Sequence, residues 1–176
     1  PGGGSGWGRA VGWGAGAGGA WGGSGDVVAG VSAAAAGLGR PGRIVDVTGD
    51  FDAPVAVAAG AMGGLSGLVH AAGRVAVEPL GAFTADSWDA VVDVNLRAHA
   101  LLVQEMLPWL RQATHASVVP ISSLEGLASH PFIPAYSTSH ACLLGRAPSI
   151  APHRGPEGTR GNAVCPALAP PPTTPP

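Results

Sequence analysis

The chain of 176 residues contains no lysine: the nine residues counted together as lysine and arginine are all arginines. Charged residues make up only 11% of it, and the formal net charge is −2. A chain without a basic surface is not expected to bind nucleic acid or anionic lipid. Two cysteines, Cys142 and Cys165, are too few for a disulfide framework or a zinc site, so we expect two buried thiols in a reducing, cytoplasmic protein.

Long apolar runs are also absent. Residues 10–39 look apolar but consist largely of glycine and alanine and contain Asp26, so they lack the roughly 20 apolar residues that a membrane span needs. The sequence shows no signal-peptide pattern, and its six histidines have no metal-ligand spacing. These features predict a protein with no membrane segment and no metal.

What is present is an alternation of short apolar runs with amphipathic stretches. The predicted buried strands are DVVAGV (26–31), RIVDVT (43–48), GLVHAAG (67–73), SVVPISS (117–123) and GNAVCPA (161–167). Strands that alternate with helices indicate an α/β fold, a Rossmann-like doubly wound parallel sheet. We expect one dinucleotide-binding domain over residues 1–167, followed by a Pro-rich, disordered tail over 168–176.

Two helices carry the polar residues of interest. A helix capped by Asp86 or Ser87 is predicted to run to about residue 112, with Asn95 inside it. A second helix is predicted to begin at Tyr136 and to end or kink near Ala147, because Pro148 and Pro152 interrupt it.

The sequence opens with PGGGSGWGRA, in which Gly2, Gly6 and Gly8 would let the backbone turn tightly and approach a pyrophosphate. Taken alone, this segment is equally typical of a flexible Gly/Ser stretch.

The motifs together, in their order along the chain, resemble those of the short-chain dehydrogenase/reductase family. The matching segments are PGGGSGWGRA, RIVDVT, HAAG (70–73), Asn95, Ser123 and, thirteen residues later, Tyr136, followed by NAVCPA. This resemblance implies hydride transfer between NAD or NADP and a carbonyl or alcohol substrate. It assigns catalysis to Tyr136, Ser123, Asn95 and His140, and cofactor binding to Gly2, Ser5, Gly6, Trp7, Gly8, Asp46, Val47, Ala72, Gly73, Tyr136 and His140.

The sequence departs from the family pattern at functional positions. His140 stands where the family has a lysine that binds the ribose and keeps a positive charge near the tyrosine. Ala167 replaces a glycine, and the resemblance also implies that the family's first strand and its C-terminal elements are lacking. The second strand ends in AGVS, which leaves the choice between NAD and NADP open.

Two functions therefore remain open. One is an oxidoreductase impaired by His140, acting on a small carbonyl or alcohol whose apolar character is favoured by Phe132 and Ile133. The other is a catalytically inactive, truncated remnant that binds nucleotide weakly or not at all. The two helices form the dimer interface in many family members, so the resemblance implies a homo-oligomer, although core packing alone would give them the same apolar faces.

Overall fold

The computed structural model describes residues 48–167 in full and residues 24–26 and 42–44 as backbone. The predicted glycine loop, Asp46, Val47 and the tail at 168–176 lie outside the described residues. The described strands are β1 (Ser24–Asp26), β2 (Gly42–Ile44), β3 (Gly67–His70), β4 (Ala116–Pro120) and β5 (Thr159–Gly161). The helices are α1 (Asp52–Met62), α2 (Ala85–Val92), α3 (Ala98–Leu110), α4 (Glu125–Ala128) and α5 (Pro134–Arg154).

All strand pairs are parallel, as the alternation of strands and helices predicts. Strand β4 lies between β3 and β5, and β1 pairs with β2. Because residue Gly67 pairs with Ser117 and His70 with Pro120, the carboxyl ends of β3 and β4 reach the same edge of the sheet. The turns after these two strands therefore lie side by side.

Strands β3 and β4 are shorter than their apolar runs predict. Strand β3 ends at His70 rather than at Gly73, and β4 ends at Pro120 rather than at Ser123. The predicted strand at 161–167 is misplaced, since β5 covers Thr159–Gly161 and continues only as a single bridge between Ile121 and Val164. Small or polar residues follow the ends of β3 and β4, namely Ala71–Gly73 and Ser122–Ser123.

One continuous helical segment connects β3 to β4. It consists of α2, a π-helical stretch at Asp93–Arg97, and α3, and Asn95 lies within the π-helical stretch. The predicted cap at Asp86 or Ser87 is wrong: the N-cap is Thr84, whose hydroxyl accepts from the Ser87 N–H, and the Ser87 hydroxyl in turn accepts from the Thr84 N–H. This reciprocal arrangement is a capping box, which satisfies two otherwise unpaired donors.

The core lies between β4 and the helices α1, α3 and α5. Its largest members are Phe51, Val118, Met106, Leu110 and Ile150. Val118 is fully buried on β4, and α3 covers it with a face that repeats every three to four residues, Val103, Met106 and Leu110. This packing fixes α3 and α5 relative to the sheet.

The last helix does not end near Ala147, which was one of the two outcomes predicted for it. Helix α5 begins two residues earlier, at Pro134, and continues through Pro148 and Pro152 to Arg154. Packing explains why the prolines are tolerated: Ala147 and Ile150 are buried, and a Cβ added to Gly161 would lie 2.6 Å from the Ala147 carbonyl oxygen. The burial of this helix against β5 offsets the hydrogen bonds that the prolines cannot make.

The burial of the two cysteines differs from the prediction. Cys142 is exposed and Cys165 is half-buried, so the prediction of two buried thiols is wrong; both are free thiols. Among the described residues, no helix is long and apolar enough to cross a membrane. Nor do any three His, Cys, Asp or Glu side chains in that part of the chain converge to hold a metal ion.

Candidate active site

The predicted site residues that the structure describes meet at the carboxyl edge of the sheet. Ala72 and Gly73 follow β3, Ser123 follows β4, and Asn95 lies in the π-helical stretch between them. Tyr136 lies in the first turn of α5, where Pro134 at the start of the helix carries no N–H that would need a partner. The remaining predicted residues, Gly2, Ser5, Gly6, Trp7, Gly8, Asp46 and Val47, lie outside the described part.

Asn95 is fully buried and has its carboxamide hydrogen-bonded on both sides. Its Oδ1 accepts from the Arg74 backbone N–H at 2.7 Å, and its Nδ2 donates to the Arg74 carbonyl at 3.0 Å. The second Nδ2 hydrogen bond goes to Ser139 Oγ at 2.9 Å. Since a buried amide without partners is costly, these bonds fix both the position and the orientation of Asn95.

Ser139 connects Asn95 to the turn that carries the tyrosine. Its hydroxyl accepts from Asn95 and donates to the backbone carbonyl of Tyr136 at 2.8 Å. The same carbonyl oxygen lies 2.9 Å from His140 Nδ1. A chain of hydrogen bonds thus runs from the turn after β3 to the first turn of α5.

The side chains of Tyr136 and His140 stack, as their spacing of four residues on one helix predicts. The ring centroids lie 3.9 Å apart, with an angle of 27° between the planes. A carbonyl oxygen only accepts, so Nδ1 of His140 carries a proton toward the Tyr136 carbonyl, which leaves Nε2 as the unprotonated nitrogen of the neutral ring. Burial lowers the pKa of His140, although its hydrogen bond to Tyr136 opposes this shift. The ring is therefore neutral at physiological pH and supplies no cation beside the phenol.

Ser123 is half-buried, and its Oγ accepts from the Glu125 backbone N–H at 3.2 Å. This leaves the hydroxyl hydrogen to be donated elsewhere. The neighbouring Ser122 is buried and has a different role, because its hydroxyl donates to the His140 carbonyl at 2.8 Å and ties β4 to α5. Of the two adjacent serines, only Ser123 keeps a proton for another acceptor.

Gly126 sets how closely α4 approaches α5. A Cβ at this position would lie 2.9 Å from the carbonyl carbon of His140 and 3.0 Å from the Ala141 nitrogen, both of which are backbone atoms. Only glycine allows this approach. The backbone of His140 is therefore contacted by α4 at Gly126 and also hydrogen-bonded by Ser122.

The turn after β3 fits the close approach of a dinucleotide. Ala72 and Gly73 are half-buried and small, and a Cβ added to Gly73 would meet nothing closer than Asn95 Oδ1, at 4.0 Å. His140 fits less well, because its Nδ1 is turned to its own helix instead of outward. The turn after β3 thus leaves room for a ligand, whereas Nδ1 of His140 is engaged by its own helix.

Sequence reasoning missed two residues of this arrangement, Ser139 and His70. Ser139 lies between Tyr136 and His140, and a small buried polar residue there is an available signal, although its partner Asn95 is 44 residues away. His70 ends β3, is 2% exposed, and has its Nε2 3.2 Å from the Asn95 carbonyl oxygen. His70 is the first residue of the segment HAAG and was visible there, but its partner, 25 residues away along the chain, was not.

Comparison with known proteins agrees with this fold. The family model of the short-chain dehydrogenases matches residues 29–174. This match covers most of the chain, so the protein belongs to the short-chain dehydrogenase/reductase family of oxidoreductases, as its motifs predict.

The curated relatives include enzymes with different substrates. A probable galactose dehydrogenase of Rhizobium meliloti is 36% identical over 107 residues, which is 61% of this chain and 42% of that protein. A 3-alpha-(or 20-beta)-hydroxysteroid dehydrogenase of Mycobacterium bovis is 32% identical over 132 residues, 74% of this chain and 51% of that protein. The chain thus spans about half the length of the curated relatives it matches.

Solved structures share the fold over nearly all of the chain. A putative short-chain alcohol dehydrogenase from Sinorhizobium meliloti superposes with a TM-score of 0.87 at 25% identity, covering 94% of this chain and 69% of that one. A protein from Thermus thermophilus gives a TM-score of 0.88 at 31% identity, covering 94% and 73% respectively. The parallel, Rossmann-like architecture is therefore confirmed.

Proposed function

We propose that this protein is an NAD(P)-dependent oxidoreductase with Tyr136 as its proton-transfer residue, and that His140 makes it slow. The observation that carries the proposal is the hydrogen-bonded path from Asn95 through Ser139 to the backbone of Tyr136. Such a path orders the helix turn that presents the phenol. Holding a general acid within reach of a substrate oxygen is the main requirement for proton transfer.

The roles of the residues follow from their hydrogen-bonding capacity. In the reduction of a carbonyl, the Tyr136 hydroxyl gives a proton to the substrate oxygen, and in the reverse reaction the phenolate takes it. The Ser123 hydroxyl donates to the same oxygen and stabilises the negative charge that develops there. Asn95 acts through Ser139 by fixing the turn.

The cofactor, when bound, supplies or accepts the hydride. Ala72 and Gly73 would hold it at the turn after β3, together with Gly2, Ser5, Gly6, Trp7, Gly8, Asp46 and Val47 from outside the described residues. Tyr136 and His140 would lie next to the ribose and nicotinamide. The features of the chain do not favour NAD over NADP, so both belong in every binding test.

The proposed substrate is a small carbonyl or alcohol compound with an apolar body. Exposed apolar side chains occur on both loops next to the site and on α4: Val77 and Leu80 in the loop before α2, Leu127 on α4, and Phe132 in the loop before α5. The Glu78 N–H donates to the Phe132 carbonyl at 2.8 Å, and the His130 N–H donates to Ser137 Oγ at 3.2 Å. The first bond joins the loop before α2 to the loop before α5, and the second joins the latter to the start of α5, the helix that carries Tyr136.

The binding part of the proposal is tested by titrating the protein with NADH and with NADPH and following fluorescence. The expected result is saturable but weak binding, because His140 is turned toward its own helix. Replacing Gly6 with leucine should abolish it, since a side chain in the loop would prevent close approach of the pyrophosphate. Binding that is unchanged in the Gly6→Leu protein would contradict the proposed cofactor position.

A second candidate function is a non-catalytic relative that binds nucleotide weakly or not at all. The neutral, stacked His140 favours it, because no cation lies beside the phenol. The two candidates are separated by the turnover of a generic apolar ketone, measured with NADH and with NADPH. Turnover that is lost in Tyr136→Phe supports the enzyme, and an equal, negligible rate in both proteins supports the non-catalytic relative.

We also propose that the protein assembles into a homo-oligomer through α3 and α5, because the corresponding helices form the dimer interface in many members of the family. Sedimentation velocity at several protein concentrations tests it. A single species with the mass of one chain at all concentrations would contradict the assembly.

A further inference from the structure

His70 makes a hydrogen bond that neither the motif pattern nor the proposed mechanism uses. It ends β3, is 2% exposed, and its Nε2 lies 3.2 Å from the carbonyl oxygen of Asn95. Since the carbonyl only accepts, Nε2 is the protonated nitrogen. Burial lowers the pKa of His70 to about 4, so the neutral ring with this one tautomer is present at physiological pH.

The carbonyl that His70 holds belongs to the π-helical stretch Asp93–Arg97. A π-helical stretch changes the pairing of the helix and is frequently found at functional sites. Here it turns Asn95 so that the carboxamide faces Arg74 and Ser139. Asn95 is therefore fixed at two points by the end of β3 and the turn that follows it. His70 hydrogen-bonds to the Asn95 backbone carbonyl, and the Arg74 backbone hydrogen-bonds to the Asn95 side chain.

We infer that His70 is a positioning residue of the active site, which fixes the Asn95 carbonyl and through Asn95 and Ser139 orients the turn that carries Tyr136. This inference rests on the proposed role of Tyr136. His70 itself does not touch the substrate. Its effect passes along three hydrogen bonds, from His70 to the Asn95 backbone, from Asn95 to Ser139, and from Ser139 to the Tyr136 carbonyl.

His99 provides a matched control for the bulk and burial of His70. The two rings lie 5.4 Å apart, and His99 is fully buried on α3. Neither ring nitrogen of His99 has a hydrogen-bond partner within the described residues. His99 thus shares the packing of His70 but not its hydrogen bond to Asn95.

The test compares His70→Gln, His70→Met and His99→Met in the full chain. Glutamine can carry an N–H donor at the same reach as Nε2, whereas methionine has similar length and no donor. The sequence contains a single tyrosine, so the near-ultraviolet absorbance of tyrosinate reports the ionisation of Tyr136 alone. Activity with a ketone and either NADH or NADPH is the second measurement, and circular dichroism checks the fold.

The expected result is that His70→Met shifts the tyrosinate midpoint by about half a pH unit and lowers kcat/KM about tenfold. His70→Gln should stay within about threefold of the parent, and so should His99→Met. Equal midpoints in His70→Met and the parent, or an equal effect of His99→Met, would overturn the inference. If His70→Met does not fold, His70→Gln decides: parent-like titration supports the inference, and a shifted midpoint overturns it.

The titration separates this inference from the proposed function. If the parent has no activity, the proposed function fails, but a midpoint that differs between His70→Met and His70→Gln still supports the positioning role. If the parent is active and the two variants titrate alike, the positioning role fails and the proposed function stands.

Discussion

The imidazole of His140 stacks on the phenol of Tyr136 with ring centroids 3.9 Å apart, and its Nδ1 lies 2.9 Å from the carbonyl of that same tyrosine. The orientation of His140 is therefore fixed by Tyr136, the residue whose proton transfer it would have to assist. A neutral ring stacked on a phenol contributes packing but little electrostatic help to a phenolate. This relationship is the physical reason to expect slow turnover.

Replacing His140 with lysine should increase turnover of an apolar ketone at least about tenfold, because an ammonium group beside the phenol favours phenolate. The gain should be larger at neutral than at alkaline pH, because the help of a neighbouring cation in forming a phenolate is needed most at neutral pH. The matched control is His140→Met, which has similar length and no charge. Rapid turnover by the parent, with no gain from lysine, would show that this position does not limit the rate.

Tyr136→Phe should lower turnover by a factor of about 100 or more, the usual range for loss of a positioned acid or base. The hydrogen bonds of this turn use the backbone carbonyl of Tyr136, so the variant should keep its stability and its binding of dinucleotide. Steady-state rates and fluorescence titration measure the two effects. A variant that retains the parent's activity would exclude Tyr136 as the proton donor.

Gly126→Ala should destabilise the protein by about 1–3 kcal/mol, because the added methyl would meet the backbone at His140. Gly145→Ala is the control on the same long helix α5. Nothing lies within 4 Å of its added Cβ, so alanine should stabilise that helix by up to about 1 kcal/mol. Urea unfolding of both variants measures the difference, and equal stability of Gly126→Ala and the parent would contradict the close packing.

Stability should fall on mild acidification. Burial lowers the pKa of His70 from 6.5 to about 4 and that of His99 to about 3. Below pH 6.5 the unfolded chain therefore binds protons at these two histidines, whereas the folded chain does not. The free energy of unfolding is therefore highest above pH 6.5. It decreases as the pH falls toward 4, and His70 alone accounts for about 3 kcal/mol of this decrease. Urea unfolding across this pH range measures the slope.

The variant His99→Met is the check on that assignment. It removes one buried ring whose nitrogens have no partner within the described residues, so it should be more stable than the parent and less sensitive to acid. An unchanged slope would show that His99 does not contribute to the loss of stability.

Several features of the fold could be predicted because they depend on neighbouring residues. The alternation of apolar runs and helices predicts the parallel sheet, and the order of motifs predicts the family. The position of Asn95 within a long helix was also confirmed. The helix cap was wrong by two or three residues, since the hydroxyl of Thr84, rather than Asp86 or Ser87, accepts the first free N–H. Short polar residues near a helix start compete for that role, and the choice depends on local backbone geometry.

By itself, the sequence determined which side chains lie on one helix face, because a spacing of four residues brings Tyr136 and His140 together in any α-helix. Only the tertiary structure decided the partners of Asn95, which are 21, 25 and 44 residues away along the chain. It also decided that α5 continues through two prolines, because its burial against β5 outweighs their local cost. Hydrogen bonds between distant segments depend on sheet register and helix packing, and neither is encoded in any short stretch of sequence.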